Sequence, residues 1–501
     1  MSSTLRLLAL GLAGLATLFA APRGAAAPGS WGTPERSPHL RGDRVYFSIE
    51  APAEAEVYLI GDFNRWDPTA TPLEHRGGGV WEVGLDLEAG EYRYKFIVDG
   101  QARLDPANPD EVGEDDGSIS SRIRVLGNGR VSQSASWRRD PLDQSGIAFR
   151  PPGRGDFSIG AAIGFTRVDG TTFWAKPSYA PEEDYVPEFD SEFGYGWESE
   201  RVNIEADLAQ PIAPHRQALL GIHFTDGTAY QNPAEIGLGE NTLSAMFLKH
   251  DWIDYYDMQG YEPYVRVRAP GQTSLRVGYA DEKYSNLTTM TNWSFFSAGA
   301  EEFRPNPPLT LLLDPSGGGE GRLQAVRVEI VKDTRRARQI GTIGTYARGF
   351  MEFGRGDFNF NRWILDGRTY MRLGRPAHLA VRTQAGGRFG GDRLPSQKFF
   401  YVGGLGTVRG HSFFAQSGDF ELLGNIEYTF VIDDLEHGVM FFYDAGTAWN
   451  STVIDLEDSV VLQSLGFAFK SLDDDFQVGF AWPIGTIGGD LEVSVRLNRT
   501  F

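Results

Sequence analysis

The final stretch, Leu491 to Phe501 (LEVSVRLNRTF), constrains this chain most. Leu491, Val493, Val495 and Leu497 alternate with Glu492, Ser494, Arg496 and Asn498, and the sequence stops on the aromatic Phe501. Successive side chains of a strand point to opposite faces, so this run has one apolar and one charged face. A soluble sandwich strand can share that pattern. Alternation that runs out on a C-terminal aromatic residue is instead the mark of an outer-membrane barrel, whose apolar face meets lipid and whose polar face meets the lumen.

Composition supports that reading by exclusion. Mean hydropathy is -0.31, which rules out a helical membrane protein with several long apolar runs. It leaves a barrel open, because alternation halves the hydropathy of each strand. The 61 Gly, 33 Phe and 19 Tyr suit strands, tight turns and interfacial aromatic girdles. A net charge of -20 with no basic stripe argues against nucleic acid as a partner and fits a role in solubility. With Cys at 0, a disulfide framework, a thiolate metal site and a lipoprotein anchor are all excluded.

Residues 1–27 read as a secretory signal peptide: Arg6 is the positive flank, Leu7 to Ala21 the apolar core, and the alanines at 20–21 and 25–27 offer cleavage sites. A polar, Pro-containing stretch follows. Residues 43–126 contain short runs (RVYFSIEA, AEVYLIG, GVWEVGLDL, EYRYKFIVDG, SRIRVL) bounded by Gly, Pro, Asp or Asn, the pattern of a small β-sandwich. Residues 127–155 are rich in Gly, Ser, Gln, Arg and Pro and read as a linker. From residue 156 to 501 the runs lengthen. Leu422, Ile426, Tyr428 and Phe430 alternate with Glu421, Asn425, Glu427 and Thr429. Phe476, Val478, Phe480 and Trp482 alternate with Gln477, Gly479 and Ala481. Such runs reach the roughly 9–11 residues that a tilted membrane-crossing strand needs. The expected fold is all-β: an immunoglobulin-like sandwich, then a transmembrane antiparallel barrel of about 16 strands, which allows about 22 residues per strand and connection. Residues 286–320 and 391–417 read as long loops, and several strands between 171 and 260 are weakly marked.

The sandwich carries a dense series of motifs: Gly61-Asp62-Phe63-Asn64-Arg65-Trp66-Asp67, then GVWEV, GEYRYKFIVDG, and Asp105-Pro106-Ala107-Asn108-Pro109. In order and spacing this resembles the family-48 carbohydrate-binding modules, which include the glycogen-binding domain of the AMP-activated kinase β subunit. The resemblance implies α-glucan resting on exposed tryptophans, with hydrogen bonds from a Lys and an Asn. A flat indole beside a donor suits a sugar, whose apolar face stacks while its hydroxyls take directed bonds. Trp66 and Lys95 match the family's first tryptophan and its lysine. Ala102 stands where the second tryptophan belongs, and the family's asparagine falls on Ser120 or Ser121. The competing reading is that Trp66 and Trp81 only pack the sandwich.

The segment Phe399 to Asn450 contains GGLGTVRGH, GDFELLGNIEYTF and FFYDAGTAWN. It resembles the C-terminal half of Omp85 superfamily barrels, the bacterial surface antigen or BamA/TamA group. The family's inward loop motif occurs as Val408-Arg409-Gly410, with His411 in place of its aromatic residue, and FxDxG occurs as Phe442, Asp444 and Gly446. The next strand's GxGxR is only approximated by Gly466, Ala468 and Lys470. Alternation puts Val439, Phe441, Tyr443 and Ala445 on the lipid side and Asp444 on the lumen side, where a carboxylate needs a cation or water. In the family the loop arginine supplies that cation, so the resemblance implies an Arg409–Asp444 pair tucking the loop into the lumen. The POTRA repeats usual in that superfamily have no counterpart here; one sandwich precedes the barrel.

Three RGD triplets are ordinary turn chemistry, and the eight histidines lack metal-ligand spacing. Neither G-x-S-x-G nor H-E-x-x-H occurs, so the chain reads as a non-enzyme without a cofactor. The expected location is the outer membrane of a Gram-negative-type bacterium, with lipid, α-glucan or other envelope polysaccharide, and client proteins as partners and the sandwich in the periplasm. The sequence fits three roles: insertion or translocation of proteins or other envelope material, a channel, and a glycan-binding envelope protein.

Overall fold

A computed structural model describes residues 37–125, 131–132, 147–149 and 157–497, apart from short internal stretches at 42–43, 78, 88–89, 109–110, 114–118, 180–184, 231–236, 270–271, 296–301, 312–313, 339–340, 374–376, 433–436, 451–459, 472–475 and 486–490. The expected signal peptide and Phe501 lie outside the described residues. The chain forms two compact units.

The first unit is a sandwich of two antiparallel sheets. One sheet orders His39–Arg41, Arg44–Glu50, Val80–Leu85 and Glu74–Gly77. The other orders Val131–Ser132, Ile119–Val125, Gly90–Val98 and Val57–Gly61, with Gln101–Arg103 and Glu111–Gly113 attached. Period-two alternation builds the core: Val45, Phe47 and Ile49 from one sheet meet Leu59, Tyr94, Phe96 and Ile123 from the other. The His39–Arg41 strand lies ahead of the residue-43 boundary drawn from sequence. At three residues, inside a polar stretch, it is too short to show alternation.

The second unit is a sheet of 18 strands, ordered as they follow in sequence apart from small hairpins left aside. Two of these are accessory. Arg336–Arg338 continues Gly321–Asp333 along the same neighbouring strand, and Ile147–Phe149 adds three residues to the outer edge of Phe157–Thr166. The remainder are the sixteen barrel strands, from Phe157–Thr166 to Glu492–Leu497. Central strands are long, 15 residues in Tyr255–Ala269 and 16 in Gly341–Gly356, enough to cross a bilayer at a tilt. The weakly marked strands are present too, as Gly170–Tyr179, Glu188–Gly196, Arg201–Pro211 and Ala218–Tyr230. Inward bulk is matched across them by glycine: a side chain at Gly194 would meet the Trp174 ring at 2.7 Å.

Burial in this unit runs opposite to that of a soluble protein. Along Phe420–Ile432, Glu421, Asn425, Glu427 and Thr429 are buried while Ile426, Tyr428 and Phe430 are exposed. Along His437–Trp449, Asp444 is 0% exposed and Phe441 is 55% exposed. Only an apolar surrounding makes that arrangement stable, with lipid outside and a hydrogen-bonded polar interior. One end of the barrel has short turns, as between Ala269 and Thr273; the chain enters the first strand there, since Phe157 pairs with Tyr179. The opposite end carries the long connections 287–320 and 392–419. Among the described residues the last strand pairs only with Phe476–Pro483, and the first with Gly170–Tyr179 and Ile147–Phe149.

Candidate functional site

The long connection after Ala377–Gly391 folds into the lumen. A 3₁₀ turn, Ser396–Lys398, leads to Phe400–Val402, which pairs with Gln416–Gly418 as an inner hairpin. Its tip turns tightly: Gly403, Gly404 and Gly410 take φ of 118°, 98° and 81°, a region that side chains disfavour. The Gly403 amide donates to Thr407 Oγ1 at 2.8 Å and the Gly404 amide to the Val408 carbonyl at 3.2 Å.

Strand side chains hold this tip almost residue by residue. Arg496 of the last strand donates to the Leu405 carbonyl at 3.1 Å, Arg382 to the Gly406 carbonyl at 2.9 Å, and Asn425 to the Thr407 carbonyl at 2.7 Å. Val408 is buried against Val402 and Leu423. Arg409 then turns towards the wall. Its Nε and Nη2 each donate to one oxygen of Asp444 at 2.7 Å, and its Nη1 donates to Glu427 at 2.7 Å. Asn425 also donates to Asp444 Oδ1 at 2.9 Å. Planar guanidinium fits a two-pronged carboxylate contact that lysine could not make. The guanidinium also lies over the Phe442 ring at 3.6 Å, within cation–π range. The Gly410 amide donates to Glu492 at 2.7 Å, and His411 Nε2 lies 2.9 Å from the Gln463 carbonyl.

The glycines of the two strand motifs make room for this packing. A side chain at Gly446 would press on Leu423 and Val402 at 3.0 Å, and one at Gly466 would meet Phe442 Cζ at 2.1 Å. So Phe442 is clamped between Gly466 and Arg409. Val408, Arg409, Gly410, Phe442, Asp444 and Gly446 therefore gather at one place, with His411 beside them. Sequence reasoning passed over Arg382, Arg496, Asn425, Glu427 and Glu492. Their only signal is a polar residue at an inward position of an alternating strand, which many strands share.

A second cluster fixes the base of the loop. Arg327 pairs with Glu282 at 2.6 Å, Glu262 at 2.8 Å and Glu352 at 2.9 Å. Glu352 also receives Arg362 at 2.6 Å and Lys398, from the 3₁₀ turn, at 3.4 Å. Buried charges of alternating sign and close geometry offset one another's desolvation. The loop is thus tied to the lumen wall at its base and at its tip.

On the sandwich, Trp81 packs against the core and donates through Nε1 to the Pro52 carbonyl at 3.1 Å. Trp66 is half-buried and lies outside the core cluster. Its Nε1 donates to Asp62 at 3.0 Å, and Asp62 is braced by Arg93 at 3.1 Å. Lys95 Nζ lies 5.7 Å from the Trp66 ring centroid. Arg65 and Trp66 both have positive φ, 55° and 62°, unusual for bulky residues. Ala102 is exposed, whereas Ser120 and Ser121 are fully buried, so neither serine reaches a ligand surface.

Residues 50–128 match the glycogen recognition site of AMP-activated protein kinase. Over 75 residues the chain is 44% identical to the 1,4-alpha-glucan branching enzyme GlgB of Aquifex aeolicus, covering 14% of this chain and 12% of that enzyme. Over 70 residues it is 40% identical to the 5'-AMP-activated protein kinase subunit beta-1 of Sus scrofa, covering 14% of this chain and 54% of that subunit. The likeness to the branching enzyme is confined to the small module and includes no catalytic domain. BamA from Haemophilus ducreyi lacking POTRA domains 1-3 aligns with a TM-score of 0.46 at 14% identity, covering 82% of this chain and 90% of that one. Residues 198–488, more than half of the sequence, match the Omp85 superfamily domain, and the chain belongs to that superfamily.

Proposed function

We propose that this protein is an outer-membrane barrel that inserts or translocates proteins or other envelope material, with its sandwich in the periplasm. The observation that carries this reading is the seam. First and last strands are not paired with each other among the described residues, while every other neighbouring pair along the sheet is. Ile147–Phe149 covers only three residues of the first strand's outer edge, and the last strand's outer edge has no strand partner among the described residues; such an edge is a template for another strand. A loop held to the inner wall by Arg409 supports this reading over that of an open channel. Family membership and entry of the chain at the short-turn end support the same reading. The test is folding of a urea-unfolded outer-membrane barrel into liposomes that hold the full-length protein. Faster folding than into empty liposomes is expected; equal rates would sink the proposal.

A second reading rests on the Trp66 ledge, where a half-exposed indole fixed by Asp62 lies near Lys95. In this reading the sandwich recognises α-glucan in the envelope, weakly, because Ala102 supplies no second stacking face. Calorimetric titration of the full-length protein with a linear maltooligosaccharide should give a signal that Trp66→Ala abolishes. No heat in the parent protein would leave the sandwich as a structural element.

A further inference from the structure

The connection between Ala218–Tyr230 and Tyr255–Ala269 carries a helix, Leu238–Leu243, continued by a π-helical turn, Ser244–Leu248. Its inner end belongs to the lumen. Glu240, Asn241 and Thr242 are buried, and Glu240 Oε1 lies 3.6 Å from Arg496 Nε of the last strand. Its middle lies on the outer edge of the first strand. There the Phe165 amide donates to Thr242 Oγ1 at 3.0 Å, a bond that a neighbouring strand would ordinarily supply. Its outer end is apolar and open: Phe247 and Leu248 are 38% and 65% exposed. The segment therefore touches both strands of the seam and passes from a lumen ion pair to the outside.

The exposed end is not isolated. Phe247 stacks on Phe295 at 5.2 Å, Phe295 meets Trp293 at 4.7 Å, and Trp293 meets Phe165 at 5.9 Å. Phe165 belongs by alternation to the outward face of the first strand, where Phe157, Ile159 and Ile163 are exposed. Unlike them it is buried, under Ala245, Phe303 and Trp293. Register fixes the height. Phe165 pairs with Thr171, whose carbonyl accepts the amide of Trp197, an outward aromatic that is 67% exposed. The cluster thus stands level with the upper limit of the lipid-facing band and continues it. Aromatic residues at that level favour the membrane–water interface, and an apolar cluster of this kind in water would be costly.

We propose that Leu238–Leu248 threads the barrel wall at the seam, and that Phe247 and Leu248, with Trp293 and Phe295, form a surface that seats in the lipid bilayer at its outer interface. The helix closes the wall where strand pairing is missing, and the bilayer is its partner. This stands on the barrel alone, whatever cargo the protein handles.

The absence of cysteine makes the test direct. Full-length Phe247→Cys and Leu248→Cys variants, labelled with an environment-sensitive fluorophore, are placed in phosphatidylcholine vesicles. Ile163→Cys serves as lipid reference and Glu54→Cys, on an exposed sandwich turn, as water reference. Nitroxide-bearing lipid should quench the probes at 247 and 248 as it quenches 163, and aqueous iodide should not. Iodide quenching as at 54 would overturn the proposal, and so would protection from both quenchers, which would mean a protein cover. Threading has its own arm. A side chain at Gly164 would lie 3.9 Å from Thr242 Oγ1, so Gly164→Cys with Thr242→Cys should cross-link on mild oxidation. If that pair fails to fold, Glu240→Cys with Arg496→Cys reports on the other side of the seam through a bifunctional maleimide, which spans the two side chains whose ends meet at 3.6 Å. A folded Gly164–Thr242 pair that stays reduced, or a folded Glu240–Arg496 pair that the maleimide does not link, would refute threading.

Discussion

Removing the Arg409 side chain should destabilise the barrel far more than an ordinary charge deletion. In Arg409→Ala, Asp444 loses both prongs of its cation and Glu427 loses its 2.7 Å partner, while both carboxylates stay buried. Breaking a buried pair from one side costs about 3–5 kcal/mol, because the remaining charge is uncompensated. For a domain of this size that lowers the midpoint of thermal unfolding by about 4–7 °C. The assay is the temperature at which the folded band is lost on heating in detergent, with bilayer conductance measured in parallel. Conductance should rise as the loop tip loosens. The decisive comparison is with Arg409→Met combined with Asp444→Asn and Glu427→Gln. That variant leaves no orphaned charge and should recover more than half of the lost stability, while Arg409→Lys, which keeps charge without the fork, should fall between. If Arg409→Ala melts like the parent, or if the triple variant is no better than Arg409→Ala, the buried-pair reasoning is wrong.

Three further outcomes follow from single sites. Burial pushes the Asp105 carboxyl up to about 6, against the pull of hydrogen bonds from Ser37 Oγ and Tyr94 Oη at 2.6 and 2.7 Å. The folded sandwich therefore keeps a proton that the unfolded chain sheds at about pH 4, so stability is greatest below that pH and falls by about 3 kcal/mol as pH rises through about 6. The sandwich transition should come earlier in urea at about pH 7.5 than at about pH 5, and Asp105→Asn should flatten the difference. Gly466→Ala should cost about 1–3 kcal/mol or more, because its Cβ would fall 2.1 Å from Phe442 Cζ and 2.2 Å from the Phe480 carbonyl; the heat-resistant band reports it. Trp81→Ala should destabilise the sandwich, whereas Trp66→Ala should leave its urea midpoint nearly unchanged, since only Trp81 packs on the core.

Legibility followed periodicity. The barrel could be read because its strands repeat every two residues with aromatics on one side, as in Phe420–Ile432, and that signal survives without knowledge of partners. The loop tip and the FxDxG strand could be read because a glycine, an arginine and an aspartate each answer a need visible one residue at a time. What surrounds them could not. Arg382, Asn425 and Arg496 grip consecutive carbonyls from three strands more than forty residues apart in sequence at the nearest, and nothing local marks an inward polar residue as a clamp rather than a solvated lumen group. The helix at Leu238–Leu243 was missed for a different reason: six residues give under two turns of helical period, too little to separate from a loop.

The clamp and the seam are also mechanically joined. The last strand has a single strand neighbour among the described residues, so its position depends on what else holds it. Two of its side chains reach the loop tip: Arg496 donates to the Leu405 carbonyl, and Glu492 accepts the Gly410 amide. Arg409 lies between those two points and fixes the tip to the strands that carry Glu427 and Asp444. The loop is therefore a strut from the middle of the C-terminal wall to the last strand. Loss of Arg409 should free that strand before it unfolds the barrel, because local opening needs only the weakest cooperative unit to yield. Hydrogen exchange of amides in Glu492–Leu497 should accelerate strongly in Arg409→Ala, while those of Tyr255–Ala269, on the far side of the sheet order, stay protected. Equal acceleration in both strands would mean that the loop stabilises the barrel as a whole, and that the seam is held by something other than the strut.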